Sequence, residues 1–461
     1  DGSSGCNNIF FGECTGKSVT SGKSNIFMGD EAGKSAVNGS YNVFFGHNAG
    51  INYIQSASNN GGAPNIFIGS RAGVGVTDAH GNIFMGTNAG CCHVSGDNSE
   101  NNVFIGTKAG EKCSNGKGRN VFIGACAGQY ASASCSVIIG NIVGTKVSGS
   151  SNVMIGRCVA KDTSTGSSGY SNVFMGYYTA QDHTTGKYNV MFGHKAGRCF
   201  TTGCCNIVMG VCTFGADHSA DATGNDNVIL GSKAGRTITS ASRSVLLGKE
   251  AGHCLTTGTE NIAIGCKALG TGTVTGQQNI ALGKNAGTDI TSGGYNILFG
   301  RNVAQGLTTG NSNIAMGTGS LGGDADTTAT GTGNVMLGSQ TARAATSAAC
   351  NVLIGTNAGK CVTSGIQNVF LGNYSGASSS AGTGCQNIAI GMSAAKALTS
   401  GCDNIVMGTY AGTAMTEGKY NVVLGRLAGC RITTALMNVV LGLCAGQCIT
   451  NQGCQVFIGV G

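Results

Sequence analysis

One short pattern of polar and apolar positions recurs along the whole chain. It reads Asn, then Ile or Val, two further apolar residues and Gly, as in the stretch Asn-Val-Phe-Ile-Gly at 102–106. Aligned on its final glycine, here called the anchor glycine, the 461 residues contain 26 copies. The residue four before the anchor is Asn in 23 copies, and Ser136, Ser244 and Gln455 replace it in the others.

Each copy predicts one short β-strand between turns. β-Branched and large apolar residues favour a strand, and the flanking glycines favour turns on both sides. So short a strand is not stable alone, but equivalent strands stacked in register satisfy one another's backbone hydrogen bonds. The sequence therefore predicts an all-β fold: a parallel β-solenoid of 26 repeats of about 17 residues, forming a single continuous domain over residues 1–461.

The recurrent asparagine has two interpretations. Stacked at the strand spacing of roughly 4.8 Å, inward asparagines would form a ladder of side-chain amides. The same residue could instead serve a turn, as an Asx-turn or at positive φ. We favour the ladder, with these members: Asn25, Asn42, Asn65, Asn82, Asn102, Asn120, Asn152, Asn172, Asn189, Asn206, Asn261, Asn279, Asn351 and Asn421.

Strand alternation predicts which side chains face the interior. We expect the residues three before and one before the anchor, such as Ile26 and Met28, to point inward. The residue between them, such as Phe27, would then point outward. Because this middle residue is almost always apolar, the outward column would have to be covered by another part of the molecule or by partner chains.

The spacing of the anchors shows a second periodicity. Eight of the 25 spacings are longer than the commonest one, and seven of these eight follow every third copy. Either each repeat forms one coil, or three repeats surround a common axis as one layer and the longer link steps up to the next layer. We expect three repeats per layer, because that arrangement would also cover the apolar middle column.

Composition narrows the class of protein. The chain has 81 Gly, one Pro, no Trp and 10% charged residues, yet 41% hydrophobic residues and a mean hydropathy of +0.10. This apolar content argues against disorder, the glycine content lies below that of collagen, and no apolar run approaches the roughly 18 residues that span a bilayer. We therefore expect no membrane insertion.

The motifs at 102–110 (Asn-Val-Phe-Ile-Gly-Thr-Lys-Ala-Gly) and 279–287 (Asn-Ile-Ala-Leu-Gly-Lys-Asn-Ala-Gly) are similar to repeats of two groups. They resemble the heads of trimeric autotransporter adhesins and the Gly/Asn-rich repeats of phage and large-virus tail fibres. The resemblance covers essentially the whole chain. It implies a left-handed parallel β-roll used as a stiff extracellular or virion fibre.

The terminal repeats suggest self-association. Neither shows a polar capping element, and uncapped strand edges invite pairing with another chain. We expect head-to-tail polymerisation, in which the C-terminal edge of one subunit docks on the N-terminal edge of the next; the alternative is that flanking sequence covers these edges. The predicted interface residues are Asn8, Ile9, Phe10, Phe11, Val456, Phe457 and Ile458.

The 22 cysteines have two interpretations. Several cysteines flank the Thr-Gly turns, so they could form disulfides within a turn or between neighbouring coils. Such disulfides persist in oxidising environments outside the cytosol. Alternatively they are reduced thiols that fill small buried positions. The candidate disulfide residues are Cys199, Cys204, Cys205, Cys448 and Cys454.

Other chemistry is weakly indicated. The net charge of +7 comes largely from Lys and Arg that follow many anchors: Arg71, Lys108, Arg157, Lys195, Lys233, Lys249, Lys267, Lys284, Arg301 and Arg426. Stacked at one corner of the solenoid, these residues would form either a solvated edge or a column that binds acidic glycans. Nucleic-acid binding is not expected, because interleaved aromatic residues are missing. Acidic residues cluster in the long links, at Asp217, Asp221, Asp226, Asp324 and Asp326, and could bind calcium or simply lie in solvated loops.

No pattern of nucleophile and base or of paired carboxylates predicts an enzyme, and no cofactor is expected. The sequence thus predicts a structural fibre or filament subunit at an extracellular or virion surface, with itself as the partner. A glycan- or receptor-binding shaft is the alternative. An ice-binding solenoid is a weaker one, based on repeated Thr at positions such as Thr184, Thr201, Thr256, Thr308 and Thr433.

Overall fold

The computed structural model describes residues 5–55, 63–92, 100–113, 118–161, 166–216, 221–322 and 328–461. Within these ranges strands and turns alternate, and no helix occurs. The chain divides into two compact units, residues 1–226 and 227–461. Each unit is built of parallel strands stacked as a β-solenoid, which confirms the predicted fold class.

The strands are short, and all but three have three residues. The first unit holds β1 (Ile9–Phe11), β2 (Ile26–Met28), β3 (Val43–Phe45), β4 (Ile66–Ile68), β5 (Ile83–Met85), β6 (Val103–Ile105), β7 (Val121–Ile123), β8 (Val137–Asn141), β9 (Val153–Arg157), β10 (Val173–Tyr177), β11 (Val190–Phe192) and β12 (Ile207–Met209). The second unit holds β13 (Val228–Leu230), β14 (Val245–Leu247), β15 (Ile262–Ile264), β16 (Ile280–Leu282), β17 (Ile297–Phe299), β18 (Ile314–Met316), β19 (Val335–Leu337), β20 (Val352–Ile354), β21 (Val369–Leu371), β22 (Ile388–Ile390), β23 (Ile405–Met407), β24 (Val422–Leu424), β25 (Val439–Leu441) and β26 (Val456–Ile458).

Within each unit every strand pairs in parallel with the next strand along the chain. Equivalent residues of the two repeats pair, for example Ile280 with Ile297, in two repeats whose anchor glycines are separated by the commonest spacing. Val43 pairs with Ile66 in the same register, although a longer link joins their strands. One repeat therefore forms one turn of the solenoid, and the prediction of three repeats per layer is wrong. A longer spacing adds residues between strands without changing which residues pair, so the threefold pattern of spacings does not require a threefold layer.

The predicted faces of the strand are reversed. The middle residue points inward: Phe27 is fully buried, whereas Ile26 is 40% exposed and Met28 is half-buried. The reason is parity, because the buried Asn four before the anchor and the residue two before it lie on the same side of a strand. The middle column is thus the solenoid core, and the prediction that it faces outward, to be covered by another part of the molecule or by partner chains, is wrong.

Two further columns complete the core. Three residues after the anchor lies a small buried residue, usually Ala, such as Ala32 or Ala268. Seven residues after it lies a larger apolar one, such as Leu255 or Ile290. Three inward columns per turn, stacked turn on turn, bury the apolar surface that a single strand cannot bury.

Phenylalanine occupies the middle position in the first seven turns. These rings form one continuous stack, with centroids 4.6–5.1 Å apart and planes inclined by 4–19°. Its members are Phe10, Phe27, Phe44, Phe67, Phe84, Phe104 and Phe122. The strand spacing sets the distance between rings, so a repeated Phe stacks on itself without any rearrangement.

The anchor glycines are required by both conformation and space. Gly355 has φ of +133°, a region that side chains disfavour, and a Cβ there would lie 2.6 Å from the carbonyl oxygen of Gly372. The glycine four residues after an anchor meets a different restriction. At Gly110 a Cβ would lie 2.5 Å from the ring of Phe104.

Candidate assembly surfaces and side-chain ladders

The recurrent asparagines form hydrogen-bonded ladders inside each unit. All fourteen residues proposed from the sequence are buried, with at most 2% exposure. In each step the Nδ2 of one Asn donates to the Oδ1 of the preceding Asn at 2.9–3.2 Å, as between Asn42 and Asn25 or Asn351 and Asn334. The backbone N–H of the later Asn donates to the same oxygen, for example Asn42 to Asn25 at 2.9 Å.

The amide also joins the ladder to the turns. Asn351 Nδ2 donates to the backbone carbonyl of Gly365 at 2.8 Å, and Asn279 Nδ2 donates to that of Gly293 at 2.9 Å. Each side chain therefore spans three successive turns through charge-neutral hydrogen bonds in the interior. Because an unpaired buried amide is costly, these bonds specify the register of the stack.

Serine interrupts the ladder once in each unit. Ser136 Oγ and Ser244 Oγ each accept the backbone N–H of the following asparagine, Asn152 and Asn261, at 3.2 Å. The shorter side chain preserves the acceptor for this N–H, so the stack continues through these turns. The hydroxyl proton is donated within the serine's own turn, to Ser134 O and Ser242 O.

The outer edges of β1 and β26 carry apolar side chains with large exposed fractions. In β1, Ile9 and Phe11 are 58% and 72% exposed. In β26, Val456 and Ile458 are 67% and 74% exposed. Phe10 and Phe457, which occupy the inward position of their strands, are also exposed. Asn8 is half-buried, and its Oδ1 accepts both the backbone N–H and the Nδ2 of Asn25.

The basic residues that follow the anchors are exposed or half-buried, and all but Arg157, the last residue of β9, lie on the turns. Several of them, including Arg71, Lys108 and Lys267, have φ of 58–62°. Asp221 and Asp226 are exposed, while Asp217, Asp324 and Asp326 lie outside the described residues. Over the part of the chain that the structure describes, no group of three or more His, Cys, Asp or Glu side chains is arranged to hold a metal ion.

The repeated threonines take part in another ladder. Eight residues after the anchor, the hydroxyl of one turn donates to the backbone carbonyl of the next, as from Thr184 to Thr201 at 3.1 Å and from Thr416 to Thr433 at 3.4 Å. Thr256, Thr308 and Thr433 donate in the same way. Their hydroxyl protons are therefore used inside the solenoid rather than presented as a free array.

All 22 cysteines are reduced in the structure. Of the five candidates, Cys199 is buried, Cys204 is half-buried, and Cys205, Cys448 and Cys454 are exposed. Disulfides among these five stay a prediction. The structure brings together a pair that the sequence analysis did not select: Cys385 and Cys402, at the same position in adjacent turns, with their sulfur atoms 2.7 Å apart.

Sequence reasoning also missed an exposed aromatic cluster in the first unit. The Tyr177 ring lies 4.2 Å from that of Tyr178 and stacks on His194 at 5.4 Å. Arg157 lies over Tyr177 at 5.5 Å, and Arg198 lies over Tyr178 at 5.9 Å. These residues come from three successive repeats. The signal that could have found them is their recurrence near one position of those repeats.

One titratable side chain is part of the core. His183 occupies the apolar column seven residues after an anchor and is fully buried. Its ring contacts Ser167 Oγ at 2.7 Å through Nδ1 and Gly186 O at 2.9 Å through Nε2. Burial lowers the pKa of His183 to about 4, so the imidazole is neutral at physiological pH.

A search of the described residues finds no helix with the length and apolar character needed to cross a membrane. Compared with protein-family models and with curated proteins, the chain matches none.

Proposed function

We propose that the chain is the subunit of a structural fibre, elongated by head-to-tail stacking of solenoid edges and displayed outside a cell or on a virion. The observation that carries this proposal is the correspondence between the outer edges of β1 and β26. Both expose apolar side chains, and both follow the pairing pattern that joins neighbouring turns within each unit. The proposed role is mechanical and involves neither catalysis nor a cofactor.

The backbone groups at the two edges correspond. Within the stack, the N–H of the residue three before an anchor donates to the backbone carbonyl of the residue four before the following anchor, as from Val439 to Gln455 at 2.8 Å. The anchor N–H donates back to the residue one before the preceding anchor, as from Gly459 to Leu441 at 2.9 Å. Extending this pattern across two copies pairs the Val456 N–H with the Asn8 carbonyl of the second copy.

The side chains correspond as well. Phe457 occupies the middle column of β26, and Phe10 begins the phenylalanine stack of the first unit. Docking of β26 on β1 of a second copy would place one ring on the other at the stacking distance set by the strand spacing. It would also reduce the exposure of Ile9, Val456 and Ile458 towards that of equivalent residues within the stack, such as Ile26 at 40%.

The test uses a proline at position 456, which removes one outward N–H of β26 and leaves the inward N–H groups in place. The Gln455 N–H donates to Asn438 Oδ1 and the Gly459 N–H donates to Leu441 O, both in the preceding turn, whereas the Val456 N–H faces the outer edge. We expect the wild-type chain to elongate with concentration in sedimentation and electron microscopy, Val456→Pro to stop elongation, and Val456→Thr to retain it. A wild-type chain that stays monomeric at high concentration, or a proline variant that elongates normally, would contradict the proposal.

The aromatic cluster favours a second candidate, a fibre shaft that binds acidic glycans. Exposed tyrosine rings provide faces for the C–H groups of a sugar, and Arg157 and Arg198 provide partners for a carboxylate. Tyr177→Ala should abolish binding on an array of acidic glycans, while Tyr420→Ala, at an exposed tyrosine in the second unit, should not. Absence of wild-type binding would remove this candidate.

A further inference from the structure

The thiols of Cys385 and Cys402 are placed together by the solenoid itself. Both lie six residues before an anchor glycine, in the turns that lead into β22 and β23. These strands pair residue for residue, Ile388 with Ile405, so the two cysteines occupy equivalent positions one turn apart. Their sulfur atoms are 2.7 Å apart, and the Cys385 N–H also points at the Cys402 sulfur at 3.3 Å.

The backbone around both residues is tied to the ladder. The carbonyl of Cys385 accepts the Nδ2 of Asn387 at 3.0 Å and the N–H of Asp403 at 3.1 Å. The carbonyl of Cys402 accepts the Nδ2 of Asn404 at 3.0 Å. The approach of the thiols is thus a product of ordered backbone rather than of two side chains on free loops.

We propose that Cys385 and Cys402 are a site of covalent modification, an intramolecular disulfide that joins two successive turns of the second unit. Neighbouring parallel strands place equivalent Cα atoms roughly 4.8 Å apart, within the 4.4–6.8 Å over which disulfides form. Closing the S–S bond from 2.7 Å to about 2.05 Å needs only a small movement of the sulfurs.

The chemistry requires a thiol oxidant, which we take to be a small-molecule disulfide such as oxidised glutathione. A cysteine thiolate attacks one oxidant sulfur, forms a mixed disulfide and releases one reduced thiol. The second cysteine then displaces the other half of the oxidant. The net reaction converts two protein thiols and one small disulfide into one protein disulfide and two small thiols, with the two protons transferred to the released thiolates.

The two thiols differ in how readily they begin this exchange. The hydrogen bond with Cys402, helped by burial, raises the pKa of Cys385 to about 11. Its thiolate is therefore scarce near neutral pH. We expect Cys402 to form the mixed disulfide and Cys385 to resolve it. Both side chains are half-buried, so the oxidant can reach the pair from solvent.

Peptide mapping tests the site directly. The reduced 461-residue chain is incubated in a glutathione buffer, free thiols are alkylated, and trypsin cleaves after Lys396, which separates the two cysteines. We expect peptides 361–396 and 397–419 to be joined through Cys385 and Cys402 in most molecules. The joined species should vanish in Cys385→Ser and in Cys402→Ser. It should persist in Cys350→Ser, where an exposed thiol lies one residue closer to its anchor.

The result that overturns the proposal is equally direct. If both thiols of the wild-type chain stay open to alkylation in a buffer that forms mixed disulfides on Cys350, the pair is not a disulfide site. Joined peptides in which fragmentation places the bond between Cys361 and Cys402, or a bond between Cys361 and Cys385 within peptide 361–396, would overturn it as well. Because the wild-type chain supplies the decisive measurement, a serine variant that fails to fold does not affect the outcome. Neither result bears on the fibre assembly proposed above.

Discussion

Removing one asparagine from the middle of a ladder should destabilise the turns on both sides of it. The Asn351 side chain makes four hydrogen bonds. It donates to Asn334 Oδ1 at 3.1 Å and to Gly365 O at 2.8 Å. It accepts the N–H and the Nδ2 of Asn368 at 2.9 and 3.0 Å. The residue is fully buried, so water does not replace these partners.

Of the four groups that bond the Asn351 side chain, two keep another hydrogen bond in Asn351→Ala and two do not. Asn334 Oδ1 still accepts the backbone N–H of residue 351, and Asn368 Nδ2 still donates to Gly384 O. The N–H of Asn368 and the carbonyl of Gly365, however, lose their bonds to the amide. At about 1–3 kcal/mol for each buried group left unsatisfied, the expected loss is about 2–6 kcal/mol.

Serine provides the matched variant, because the chain itself uses it in two turns. At Ser244 the hydroxyl oxygen accepts the N–H of Asn261 at 3.2 Å. Asn351→Ser should therefore rescue the N–H of Asn368 but not the carbonyl of Gly365, and should cost about half as much as alanine. The reverse change, Ser244→Asn, should extend the ladder and raise the stability of its turns.

Hydrogen exchange is the suitable assay, because solenoid turns can open locally and a global unfolding midpoint averages over them. The opening free energy is measured on peptides that cover β19 to β21. Gln367→Ala, an exposed neighbour, serves as the control and should change it by less than about 0.5 kcal/mol. The reasoning fails if Asn351→Ala lies within that same margin, or if alanine and serine variants open equally.

Three further outcomes follow from the core and the turns. His183 is neutral in the fold, with a pKa of about 4 against about 6.5 in the unfolded chain. The free energy of unfolding is therefore unaffected by the protonation of this residue above pH 6.5 and falls by about 3 kcal/mol as the pH drops to 4, because the unfolded chain then binds the proton more readily. Exchange measured from pH 7 to 4 should reveal this loss, and His183→Leu should remove it. Gly355→Ala combines a positive φ with a clash against the Gly372 carbonyl and should lower the opening free energy by about 3–5 kcal/mol. Gly333→Ala is the control: its φ is +67° but the nearest atom to the new Cβ is 3.6 Å away, so the loss should be about 1 kcal/mol. Phe84→Leu interrupts the ring stack at two contacts and should cost about 1–3 kcal/mol, with β5 and its neighbours exchanging faster; an unchanged rate would show that the stack contributes nothing beyond burial.

The positions of the strands, and their number within the described residues, follow from the local sequence pattern. A β-strand needs only a few residues of local pattern, and each of the 26 copies carries that pattern next to a glycine whose backbone few other residues can adopt. The asparagine ladder was accessible for a related reason. When an asparagine recurs at one position of stacked turns, the nearest hydrogen-bond partner of its amide is the asparagine of the neighbouring turn, as Asn42 is for Asn25.

Which strand residues face the interior became clear only in the structure. Three consecutive apolar residues, such as Ile26, Phe27 and Met28, leave the inward face ambiguous when taken alone. The burial of Asn25 places Phe27, two residues further along the strand, inside. The sequence also left open whether one repeat or three repeats form a turn. Strands joined by short links and by long links pair in the same register, so the link lengths do not distinguish the two arrangements. Cys385 and Cys402 share one position of consecutive repeats, but that recurrence does not give the distance between their sulfur atoms. Distances between turns depend on how the chain stacks, which no single repeat encodes.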